Sequence, residues 1–134
     1  MKIKMLPLVF LLAAMVLVPG VRASIAASAN PSSGNIDYFP AIPEYDDFSS
    51  NLTVTGSISG TPTWTAAPAT GSPTCASHIV VTFGNANAWN TTAKFDDHAT
   101  ASCQATIVLT VSSPSAGSSQ TTVSVSYIYC RNCL

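Results

Sequence analysis

Apolar and polar side chains alternate with a period of two along most of the chain. Residues 51–59 set Leu52, Val54 and Ile58 against Thr53, Thr55, Ser57 and Ser59, and 77–83 set Ile79, Val81 and Phe83 against His78, Val80 and Thr82. Residues 104–112 alternate Ile107, Leu109 and Val111 with Thr106, Val108 and Thr110, and 120–129 alternate Val123, Val125, Tyr127 and Tyr129 with Thr122, Ser124 and Ser126. A side-chain period of two puts one face of each segment inward and the other in water, which predicts half-buried strands. Shorter stretches at 63–66 and 91–95 add two more. Between them lie Gly60-Thr61-Pro62, the Pro- and Gly-bearing run 67–73, Gly84-Asn85 and Ser113-Pro114-Ser115-Ala116-Gly117, all turn chemistry. Six or seven short strands with turns roughly 8–12 residues apart predict an all-β fold: an immunoglobulin-like, two-sheet antiparallel β-sandwich of about seven strands over 51–134. The last two strands are expected to form a hairpin across 113–119. Trp64, on a short strand early in the domain, suits the aromatic that packs between such sheets. Residues 30–50, in which 35–48 mixes Tyr38, Phe39, Tyr45 and Phe48 with four acids and two prolines, read as an extended N-terminal arm or edge strand.

The first residues follow a different pattern. Lys2 and Lys4 precede an apolar run at 6–18, and Val21-Arg22-Ala23 ends on the small residue that export cleavage requires. This predicts a secretory signal peptide within 1–29, cut after Ala23 or after Ala29. The apolar run is well short of the roughly 20 residues that span a bilayer, so no stable membrane span is expected once the leader is gone. Removing 1–23 leaves Lys94 and Arg131 against Asp37, Glu44, Asp46, Asp47, Asp96 and Asp97, a net charge of −4. Two cations cannot neutralise a run of phosphates, which excludes nucleic-acid binding of the electrostatic kind. The remainder is weakly acidic and rich in Ser and Thr. It is expected outside the cell, or in the periplasm or on the cell surface if the source is bacterial.

Three stretches also resemble a known family. The run VTFGNANAWNTTAKF at 81–95, followed by ATIVLTV at 105–111 and TTVSVS at 121–126, looks like the polycystic-kidney-disease (PKD) and receptor-for-egg-jelly-related modules of extracellular proteins. The resemblance spans about 52–127. It implies a seven-stranded sandwich acting in adhesion, spacing or protein contact, with no catalytic residues and no cofactor to carry over. The chain departs from that pattern in having Ser102-Cys103-Gln104 near the entry to the penultimate strand and in its longer connection at 66–76.

Cysteines carry the most chemistry. The proposed topology gathers Cys75, Cys103, Cys130 and Cys133 at one pole, and four cysteines allow three pairings among which the sequence does not choose. An oxidising export route predicts two disulfides. The alternative is a secreted metal-binding or thiol-active protein. Cys75-x-x-His78 with Cys130-x-x-Cys133 has zinc-ligand spacing, with Cys103 as a further thiolate, and Cys130-x-x-Cys133 alone has the spacing of a redox pair. Phe95-Asp96-Asp97-His98 is read as a solvated turn, with calcium binding through its oxygens the weaker alternative. Trp89, in the polar loop 85–90, stacks on a sugar or partner, or folds back over the end of the sandwich. Asn51 and Asn90 head Asn-x-Thr glycosylation acceptors in a eukaryotic host. No Gly-x-Ser-x-Gly turn is present. The expectation is a secreted, disulfide-stabilised, non-catalytic module binding an extracellular protein or glycan, or acting as a spacer.

Overall fold

The computed structural model describes residues 24–39, 44–97 and 101–130. Among them the chain forms nine strands: β1 (Ile25–Asn30), β2 (Ser33–Phe39), β3 (Glu44–Asp46), β4 (Phe48–Gly56), β5 (Thr63–Pro68), β6 (Ile79–Phe83), β7 (Thr91–Asp97), β8 (Cys103–Ser113) and β9 (Gly117–Tyr129). One 3₁₀ turn, Thr74–His78, precedes β6. The strands make a four-stranded sheet in the order β1-β4-β7-β6 and a five-stranded sheet in the order β3-β2-β9-β8-β5. This is the immunoglobulin-like arrangement, with the first strand divided between the two sheets.

Alternation produces the layers directly. Along β8 every second residue from Cys103 to Ser113 is buried, and Val123, Val125 and Tyr127 of β9 are 0–1 % exposed. These face Leu52 and Val54 of β4 and Ala93 and Phe95 of β7 across the core, with Trp64 of β5 and Ile36 of β2 completing it. The expected hairpin forms with Ser113 opposite Gly117. Gly117 has a φ of 85°, a left-handed conformation glycine adopts without steric cost.

The amino-terminal half departs most from expectation. Ile25–Asn30, of which the wider leader boundary would have taken all but Asn30, is β1 and pairs with β4 along its whole length. Residues 30–50, read as an arm or edge strand, hold β2, the edge strand β3 and the start of β4, and the strands of the sandwich start at Ile25, ahead of 51. The alternation there was faint because the inward positions after Ile25 are Ala27 and Ala29, small residues that pack on the core without signalling it. A second departure is parallel pairing. β2 runs parallel to β9, Ser33 to Tyr38 opposite Ser124 to Tyr129. The crossover between sheets is held from both sides: the fully buried Ser50 of β4 donates its hydroxyl to the Pro31 carbonyl at 2.5 Å, and Ser124 N–H of β9 donates to the Ser32 carbonyl at 2.9 Å. Finally, residues 74–78 wind into the 3₁₀ turn before β6 starts, and β7 runs on through Asp96 and Asp97.

Candidate functional site

Three loops meet at one end of the sandwich: 57–62, 84–90 and 114–116. Loop carbonyls lack ladder partners and need donors from elsewhere. Side chains supply them. The indole of Trp64 donates to the Ala88 carbonyl at 3.0 Å, that of Trp89 to the Gly60 carbonyl at 3.1 Å, and the Asn87 amide to the Pro62 carbonyl at 3.1 Å. The hydroxyls of Ser113 and Ser115 both donate to the Ser59 carbonyl at 2.8 Å. Gly60 must be glycine here, because its φ is 75° and a Cβ would lie 2.6 Å from the Ser115 hydroxyl. The three loops are thus braced to one another, and this pole is held in a single shape.

The opposite pole carries the bridge. Cys75, in the 3₁₀ turn, is disulfide-bonded to Cys103 at the start of β8, with Cα atoms 5.9 Å apart. Between β5 and that bridge, the turn at 69–73 is tied to β8, with Ala69 N–H and the Ser72 hydroxyl both donating to the Thr106 carbonyl. Cys130 follows β9, donates its N–H to the Tyr38 carbonyl at 3.3 Å, and is itself disulfide-bonded. Cys133 and His98 lie outside the described residues. The Cys75–Cys103 bridge takes two sulfurs out of the zinc set considered above, and His78, at the end of the turn, is exposed. Among the described residues no three His, Cys, Asp or Glu side chains gather as a metal set would require.

The remaining candidates lie on different elements. Trp89 is half-buried and packed against the core, folded back by its bond to Gly60. Trp64 is 2 % exposed and packs 6.3 Å from the Phe83 ring. Asn51 stands exposed on the outer face of the four-stranded sheet. Asn90 is exposed at the braced pole, where its Oδ1 accepts the Val54 N–H at 3.2 Å. Asp96 and Asp97 are paired along β7 with Val80 and Ile79, so the expected Asp-Asp turn is strand at both positions, fixed by its pairing to β6. Lys94 of β7 pairs with Asp47, whose hydrogen bond and charge raise the lysine pKa above its ordinary value.

A feature that periodicity alone did not disclose lies on the outer face of the five-stranded sheet. Register aligns Thr106 of β8, Ser124 of β9 and Ser33 of β2 in one row, and Gln104, Ser126 and Asn35 in the next. The turn at 69–73 rises beside them as a wall. Two adjoining depressions result, of about 420 and 330 Å³, sharing Gln104 and Ser124. No residue lining either one is ionisable. In the sequence Gln104, Thr106, Ser124 and Ser126 belong to the polar half of an alternating pattern and Ser33 and Asn35 to no clear pattern, with nothing to separate a shared site from a merely wetted surface. Comparison with protein families finds no match for the chain, and comparison with curated proteins finds none either, so the resemblance to PKD modules rests on the residues quoted for it.

Proposed function

We propose that this chain is an exported, non-catalytic immunoglobulin-like module that binds an extracellular protein or glycan or holds other parts apart, with disulfides fastening one pole. The observation that carries the reading is the bridge between the half-buried Cys75 and the buried Cys103, since such bonds persist where thiols are kept oxidised. The apolar leader-like run before β1 agrees with export. The braced loop pole agrees with a binding role, because rigid loops lower the ordering cost of association. Against the metal or thiol reading stands the loss of Cys75 and Cys103 as thiolates. With those two joined, Cys130 and Cys133 remain as the second pair by count.

Intact mass of the exported protein, native and denatured, before and after reduction, tests this. The expected result is a chain starting at Ser24, four hydrogens lighter than its reduced form and carrying no metal. Free thiols, or zinc that leaves on denaturation, would overturn it.

A further inference from the structure

We infer that the two-row groove on the outer face of the five-stranded sheet is a binding site for a neutral oligosaccharide. This deepens the binding reading above and rests on it. Three observations converge. The lining is chemically uniform: Ser33, Asn35, Gln104, Thr106, Ser124 and Ser126 present hydroxyls and amides, each able both to donate and to accept. A sugar hydroxyl has the same dual character. A phosphate, carboxylate or metal ion would find no opposite charge in the groove, and the nearest acid on this face, Asp37, one row further along β2 opposite Ile128, repels anions. A large apolar ligand would find only Ala69 and Pro73, because Ala105 and Val125 turn their side chains into the core and meet the groove with backbone.

The second observation is spacing. The rows cross three neighbouring strands, which lie about 4.8 Å apart, so successive hydrogen-bonding groups recur at a step comparable to one pyranose ring. An extended glycan laid across the strands meets one side chain per row on each strand. The third is a built wall. The turn at 69–73 is fixed at one end by the Ala69 and Ser72 bonds to Thr106 and is followed within two residues by the Cys75–Cys103 bridge, so the groove keeps its shape without a ligand. Ala69 N–H and the Ser72 hydroxyl are engaged in that wall, which leaves the row side chains for the ligand.

Amide chemical shifts of the exported, oxidised, 15N-labelled protein, titrated separately with cellohexaose, mannohexaose and hexagalacturonate, test the inference. Saturable shifts with at least one neutral hexasaccharide are expected, confined to 33–35, 69–73, 104–106 and 124–126, with hexagalacturonate weaker. The double variant N35A/Q104A removes two exposed side chains from the groove and is expected to weaken that binding at least about fivefold with its melting temperature unchanged. Thr82→Ala, on the opposite sheet, is expected to bind as the parent does. Absence of shifts with both neutral sugars, tighter binding of the uronate, or full affinity in the double variant would overturn the groove. Shifts mapping to 57–62 and 84–90 would overturn it too, yet leave the module's binding role standing. Free thiols by intact mass would remove the module reading without touching these titrations.

Discussion

Gly34 of β2 lies directly beneath an aromatic ring. A Cβ there would sit 2.0 Å from Cδ2 of Phe48, whose ring stacks on Phe95 at 5.4 Å between centroids. Three atoms of that ring would lie within 2.5 Å of the Cβ, and its stacking partner Phe95 is fully buried. Gly34→Ala is therefore expected to cost about 1–3 kcal/mol by overpacking, read as a lower denaturation midpoint at unchanged m-value. An unmoved midpoint would mean that Phe48 has room the packing does not show. Trp89 makes a smaller contribution. Trp89→Phe keeps the packed ring but leaves the Gly60 carbonyl without its indole donor, with an expected loss of about 1 kcal/mol. Among charged residues, Lys94 is exposed, so its pair with Asp47 is screened by water and salt. Since its pKa is raised in the folded state, whatever stability it adds is present at neutral pH and fades only as pH climbs past the lysine range.

Among elements, the 69–78 connection depends most on a covalent tie. The bridge closes a loop with a sequence separation of 28, worth about 3.5 kcal/mol on the chain-entropy account. The double variant C75A/C103A is expected to lose about 2–4 kcal/mol, lowering the melting temperature of a domain this size by roughly 10–25 °C. Amide exchange should rise first at 69–78, whose covalent tie to β8 is that bridge. Exchange rising uniformly instead would show that the bridge acts on the unfolded chain alone. β1 presents the opposite case, being held by its ladder to β4 and by Ile25, Ala27 and Ala29 against the core. Of the two leader cuts, only the one after Ala23 leaves β1 whole. Protein beginning at Asn30 is expected to melt at least about 10 °C below protein beginning at Ser24, and equal melting would refute a structural role for β1.

For the whole molecule, the sequence determined the fold class and the inward face of the longest strands. Alternation over β8 and β9 is long and uses large β-branched and aromatic residues, and a one-residue slip there would expose the entire core face, so pattern and structure cannot disagree. The oxidisable cysteines and the turn at 113–117 were legible for similarly local reasons. Tertiary structure alone decided the rest. β1 and β2 became visible only once β4 and β9 offered them edges, because Ala, Ser, Gly and Asn carry little pattern of their own. The choice of Cys103 as partner for Cys75 follows from where the 3₁₀ turn lands beside β8, a distance no spacing encodes. The parallel pairing of β2 with β9 has the same origin, since it depends on the chain crossing between sheets at Pro31 and Ser32. The groove is the clearest instance: Gln104, Ser124 and Asn35 are far apart in the chain, and strand register puts them side by side. A period of two tells which side chains leave the core, whereas only the pairing of strands determines which of them stand together.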